Sequence, residues 1–250
     1  MGRSYVCLLN SLVTVKEIAN TFVWTEPIVH EALATLYLRL NGYLTTGFIA
    51  HSPTKGENLG EVDCLAIRHP YHSQNEREIK PSKFLAIREN EVDLIICEAK
   101  SSVQGLRFND SLEETLPAVL RWAGVFTESQ VSGVVEDLRL HLASDVPLER
   151  ARDGVVENRC RVRLLLCCPP CKEDECIGRW CLCGSELLGY VNECLNPSRR
   201  RDLCSTRYDF GLWGYALSPL VAYFKRLKKT DSPHLQDLYS HLRAKTLLVD

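Results

Sequence analysis

A chain of 250 residues, 45% apolar and 25% charged, has the composition of an ordinary globular protein and can bury the core of one large domain, or of a core with a smaller appendage. Its net charge of -2 argues against a protein that coats nucleic acid nonspecifically, and no stretch approaches the ~18 continuous apolar residues of a membrane span. The charge is uneven: Arg150 to Lys229 holds 15 Lys or Arg against 9 acids, a balance of +6, and the remainder 15 against 23, or -8. That basic half suits either a phosphate backbone or a solvated surface.

Met1 to Val15 has one basic residue and a short apolar run, which hints at a signal peptide. Asn10 and Ser11 break the run, no small-residue cleavage site follows, and Val6 stands where a myristoylation signal wants Ser or Thr. The expectation is a cytoplasmic protein, nuclear in a eukaryote, with its 12 cysteines in a reduced compartment.

Thr25-Glu-Pro opens an amphipathic helix with Ile28, Ala32, Leu36 and Leu40 at helical spacing and Gly42 as its stop. Glu31 borders that apolar row, either reaching a site or standing exposed in solvent. Tyr43 to Ala50 reads as a first strand and residues 51–58 as a turn-rich loop. In Gly60-Glu-Val-Asp-Cys-Leu-Ala-Ile67 the carboxylate of Asp63 interrupts the apolar face of Leu65 and Ile67. Burying it requires a neutralising partner, and a hard divalent cation shared with another carboxylate is a natural one. The polar segment from Arg68 to Glu91 includes His69-Pro-Tyr-His72, a metal pair or, more simply, a surface loop. Val92 to Cys97 is a buried strand that ends in Glu98-Ala-Lys100. Glu98 and Lys100, two apart, project the same way, so an anion and a cation aim at one spot.

An acid on a helix, an Asp on a strand and Glu-x-Lys on the next strand, here Glu31, Asp63 and Glu98-Ala-Lys100, resemble the PD-(D/E)XK nuclease superfamily over roughly Glu26 to Cys168. The resemblance implies a restriction-endonuclease-like fold, an α/β architecture with a mixed central sheet flanked by helices. It further implies Mg²⁺ or Mn²⁺ at Asp63, Glu98 and the Ala99 carbonyl, with Glu31 in an outer or additional role. Lys100 would position the attacking water and stabilise charge on the phosphate. Two departures stand out: Val62 precedes Asp63 where the family's motif has Pro, and Gln104 is a weak substitute for the Gln-x-x-x-Tyr of exonuclease branches.

Beyond Lys100, Ser111-Leu-Glu-Glu114 looks like a capping box opening a helix to about Phe126, and Ser129 begins another with Val131, Val134, Leu138 and Leu142 on one face. Asn158 to Cys168 reads as a strand whose Arg159, Arg161 and Arg163 share one side, to pair with acids or to contact phosphate. Three strands, two helices and a further strand form an α/β pattern in which the last strand joins parallel through a crossover.

Six thiols follow in 17 residues, Cys167, Cys168, Cys171, Cys176, Cys181 and Cys183. Cys168, Cys171, Cys176, Cys181 and Cys183 are candidate ligands of a structural zinc, although Cys181-Leu-Cys183 is tighter than a zinc ribbon's second knuckle. Cys168-Pro-Pro-Cys171 after a strand also suits a thioredoxin-like redox site, and free thiols are the plainest alternative. Arg199 to Arg201 and Arg207 beside Tyr208, Phe210 and Trp213 suit a single nucleic-acid strand, whereas Trp213, Tyr215, Tyr223 and Phe224 also suit helix packing. Helices are expected at about 212–229 and from Ser232 to Leu242. The expected organisation is a nuclease-like core at 1–170, with a cysteine-rich segment and C-terminal helices at 171–250 packed on it. The expected activity is metal-dependent hydrolysis of nucleic-acid phosphodiesters, DNA before RNA, by a chain with no membrane partner and an open oligomeric state, a homodimer included. The alternative is an inactive nuclease fold that binds nucleic acid or a protein partner.

Overall fold

The computed structural model describes residues 23–246 apart from 53, 55, 76, 144–145, 177, 199–212, 215 and 229. The apolar N-terminal run and the basic and aromatic residues Arg199 to Arg201, Arg207, Tyr208, Phe210 and Tyr215 lie outside the described residues. Among the described residues, no helix is long and apolar enough to cross a membrane.

Helix α1 (Glu26–Leu40) starts with Pro27 in its first turn and stops at Gly42, whose φ of +87° lies in the left-handed region. A Cβ at Gly42 would stand 2.5 Å from His72 Nε2, so the ring of His72 packs on this turn while His69 is exposed. The helix differs from the amphipathic expectation: Val29, His30, Leu33, Ala34, Tyr37 and Leu38 are buried along with Ala32, Leu36 and Leu40 of the predicted row, while Ile28 is half-buried. Beyond its first turn, what remains half-exposed is a narrow polar seam, Glu31, Thr35 and Arg39, spaced by one turn.

Strands β1 (Leu44–His51), β2 (Asn58–Arg68) and β3 (Val92–Ala99) form an antiparallel meander. The chain then crosses over through α2 (Leu112–Ala123), α3 (Glu128–Leu142), the short α4 (Leu148–Asp153) and β4 (Val155–Glu157). It returns as β5 (Cys160–Cys168), parallel to β3. Sheet order is β1-β2-β3-β5-β4, and β6 (Cys181–Cys183) lies parallel to the last three residues of β5. The architecture is therefore α/β, a mixed six-stranded sheet flanked by helices.

Alternation along the strands sorts side chains into two layers. Cys64, Ala66, Ile95, Cys97, Leu165 and Cys167 pack with α1 and with α5 (Gly184–Leu195), α6 (Ser218–Phe224) and α7 (Leu235–Thr246). Leu65, Leu94, Ile96, Val162 and Leu164 pack with α2 and α3. The C-terminal helices thus cover the outer side of α1, which is why that helix is buried nearly all round. Tyr223 and Phe224 belong to this packing. Helix α6 is shorter than the sequence suggests, seven residues ending at Phe224, and α5 and β6 were not anticipated. The capping box also forms elsewhere. Ser111 makes no side-chain cap and packs instead on Gly60, where a Cβ would come within 2.9 Å of its Oγ, while the Thr127 N–H donates to Gln130 Oε1 at 2.8 Å at the start of α3.

The arginines of β5 overturn the phosphate alternative. Arg159 sits in a turn, but Arg161 and Arg163 are fully buried on the α1 side around Asp93. Asp93 Oδ2 accepts from Tyr43 OH at 2.6 Å, from Arg161 Nη2 at 3.1 Å and from Arg163 Nη2, while Oδ1 accepts from Arg163 Nε at 2.9 Å. Arg163 also lies over the Trp180 ring, 4.7 Å from its centroid. Deleting the central carboxylate leaves two guanidinium groups in the interior without it, so Asp93→Ala should cost about 3–5 kcal/mol. Chemical denaturation measures this, and a loss below about 1 kcal/mol, the scale of an exposed ion pair, would contradict the buried cluster.

Candidate active site and cysteine centre

Cys64 is registered with Cys97 and Leu65 with Ile96, and continuing that antiparallel ladder sets Asp63 opposite Glu98 on the α2–α3 side of the sheet. Asp63 Oδ2 accepts from the Ala99 backbone N–H at 2.7 Å, which ties the start of the motif to its end. Glu98 is fully buried. Its Oε2 accepts from Lys100 Nζ at 2.7 Å and from the Asn109 N–H at 2.9 Å, and its Oε1 is buried with no hydrogen-bond partner. Lys100 Nζ also donates to Asn109 Oδ1 at 2.7 Å, and the main-chain N–H of Lys100 donates to Cys167 O at 2.7 Å.

Glu31 comes from α1, on the other layer, and meets Asp63 in an open cleft of ≈ 790 Å³ whose walls include Phe48, Glu61 and Trp122. The rings of Phe48 and Trp122 are 5.7 Å apart, and Trp122 is 55% exposed. Burial, then the carboxylates of Asp63 and Glu61, push Glu31 up to about 7. Burial also raises Asp63, against the pull of the Ala99 N–H and of Lys100. Glu98 is raised by burial as well, with Lys100 and the Asn109 N–H opposing. The three acids therefore resist ionisation together, and a cation among them relieves that resistance. They are not closed into one shell: among the described residues, only the cysteine group below brings three Cys, His, Asp or Glu ligand atoms within 4.8 Å of one another.

Sequence reasoning missed Asn109, which binds both Glu98 and Lys100; it lies in a loop with no periodicity, so no local signal marks it. The link behind Glu31 was missed too. His30, buried, reaches Ser101 Oγ at 3.2 Å through Nδ1 and Tyr239 OH through Nε2, and burial lowers its pKa to about 4. A neutral imidazole thus joins α1, the residue after Lys100 and α7.

The cysteine-rich segment forms a second centre. Leu166 is registered with Cys181 and Cys168 with Cys183, so Cys168, Cys181 and Cys183 emerge on one face. Cys176 ends a 3-10 turn, Glu173–Cys176, and the sulfurs of Cys176, Cys181 and Cys183 lie within 4.8 Å of one another, Cys176 and Cys183 at 3.2 Å. Such a buried group can hold a metal. Cys168 and Cys171 do not join it as thiols; a disulfide links them. Hydrogen bonding with Cys181, then with Cys176, holds the Cys183 thiol down to about 7 against the opposing effect of burial.

Comparison of the chain with protein-family models, curated proteins and solved structures returns no match.

Because the fold raises Glu31 from 4.5 to about 7, the folded state binds this proton more tightly than the unfolded chain across that window. Stability contributed by the group is present below the window and falls as pH rises through it. In metal-free buffer, Glu31→Gln should flatten the decline of melting temperature across this range. A slope equal to the wild type's would show that Glu31 is not the raised group.

Proposed function

We propose that this chain is a divalent-metal-dependent phosphodiesterase of the restriction-endonuclease-like class, acting on nucleic acid and on DNA ahead of RNA. The order of elements supports it: a helix, an antiparallel meander of three strands, crossover helices and a strand parallel to the third. The observation that carries the reading is Glu98 Oε1, a carboxylate oxygen fully buried without a donor, on the strand beside Asp63. Unpartnered buried oxygens are rare, and a hard cation satisfies one.

Asp63, Glu98 and the Ala99 carbonyl would hold Mg²⁺ or Mn²⁺, with Glu31 as an additional ligand or one acting through water. The ion, when bound, supplies positive charge that polarises a phosphate and lowers the pKa of water. Lys100, held by Glu98 and Asn109, presents an ammonium group to the phosphate oxygens and stabilises charge that develops there. Glu31, titrating near neutrality, is able to take a proton from water at its carboxylate. Phe48 and Trp122 offer apolar ring surface along the cleft to a base or sugar. A cytoplasmic location, or a nuclear one in a eukaryote, belongs to the same reading.

One observation favours a second reading, a nuclease fold that only binds nucleic acid or a partner protein: the acids stand too far apart to form a closed shell. Incubating the full chain with single-stranded, duplex and branched DNA and with RNA, in Mg²⁺ or Mn²⁺, separates the two. Hydrolysis is expected, falling by about 10²–10³-fold in Lys100→Ala and further in Asp63→Asn and Glu98→Gln, with folding retained. Binding without hydrolysis would select the second reading, and cleavage surviving in Asp63→Asn and Lys100→Ala would end the first.

A further inference from the structure

Five buried cysteines and two leucines, Leu106 and Leu166, make up a small cluster separate from both main cores, with Phe108 packed against it. Five thiols bury little apolar area for a core, and the segment they hold is only a 3-10 turn and a three-residue strand. Thiolates at this density are instead what a soft divalent ion selects. Around zinc, with bonds of about 2.3 Å, tetrahedral sulfurs stand about 3.8 Å apart. The sulfurs of Cys176, Cys181 and Cys183, within 4.8 Å of one another and with Cys176 and Cys183 at 3.2 Å, already approximate three corners. Cys168, registered beside Cys183, and Cys171, joined to it, belong to the same buried cluster.

We propose that Cys176, Cys181 and Cys183 hold a zinc ion whose fourth thiolate comes from Cys168 or Cys171 once their disulfide is reduced, and that the loaded centre braces the active-site loop. In the balanced step a dithiol reductant gives two electrons and two protons to the Cys168–Cys171 bond and leaves as its own disulfide. Four of the five resulting thiols then bind Zn²⁺ and release four protons. An oxidant of the diazene type takes two electrons from the Cys168 and Cys171 pair, one proton from whichever of them is left as a free thiol and one from water; the disulfide re-forms, a ligand is lost and the site weakens.

The brace follows from contact. Leu106 and Phe108 lie on the loop between β3 and α2, and that loop continues into Asn109, whose N–H holds Glu98 and whose side chain holds Lys100. On the other side, the Lys100 main chain is bonded to Cys167, next to Cys168. Zinc binding itself is independent of the phosphodiesterase reading; only the importance of the loop rests on it, and the tests read metal and exchange rather than cleavage.

Full-length chain reduced with dithiothreitol and dialysed against zinc should retain one ion, measured by elemental analysis. Cobalt in its place should give the intense visible bands and sulfur-to-metal absorption of a tetrahedral thiolate site. Cys181→Ser, Cys183→Ser and the double variant Cys168→Ser with Cys171→Ser should lose zinc, while Cys194→Ser, outside the cluster, keeps it. Treatment with diamide should release the ion, and chelation should speed amide hydrogen exchange across 100–111. A reduced wild-type chain that takes up neither zinc nor cobalt would overturn the centre without need of any variant, as would zinc surviving in Cys183→Ser. Zinc retained after diamide would overturn the gating, and unchanged exchange across 100–111 on chelation the brace.

Discussion

A carboxylate taken out of water must be given a proton, a counter-charge or a full set of donors, and the central strand β3 carries two that are almost wholly buried, Asp93 and Glu98. They lie near opposite ends of the strand and face opposite helical layers. Asp93 is saturated, with both oxygens bonded and two arginines and a tyrosine around it. Glu98 has one oxygen fully engaged and the other bare. The same residue chemistry in the same strand is thus closed at one end and open at the other, and an open valence in an interior is what a ligand site requires. The arrangement of the remaining groups follows: Asp63, Lys100 and Asn109 are the near neighbours of the open end.

The sheet supplies this asymmetry. Pairing β2 with β3 places Asp63 across from Glu98, and the parallel return of β5 bonds the main chain past β3, fixing Lys100. Helix α1 then delivers Glu31 from the far layer along its single polar seam, and the energetic cost of crowding three acids is borne by the packing that surrounds them. The two arginines spent on Asp93 also reduce the basic surface that the charge count of the C-terminal half suggested.

Much of this was written in short-range pattern. The alternation in 60–67, the apolar run of 92–97 and the spacing of Glu98 and Lys100 set strand faces directly, because side-chain direction in a strand depends only on parity. What the pattern could not carry was long-range covering. Arg161 and Arg163 look alike whether they face phosphate or Asp93, and only the docking of the 3-10 turn at Lys83–Leu85 and of Trp180 decides it: the Leu85 carbonyl accepts from Arg163 at 2.6 Å. The capping box at Ser111 failed for a related reason, since its hydroxyl lies against Gly60 of a neighbouring strand. Asn109 was invisible because a loop residue acquires its role from the elements it happens to stand between.

The bond between His30 and Tyr239 joins positions 209 residues apart. Helix α1 is buried nearly all round, yet the elements covering its outer side, α5 to α7, lie far downstream of it in the chain. While the chain grows on the ribosome, that apolar flank stays exposed until those elements have emerged, so α1 cannot complete its packing with its sequence neighbours alone. Its nascent chain is one that holdase chaperones are suited to shield.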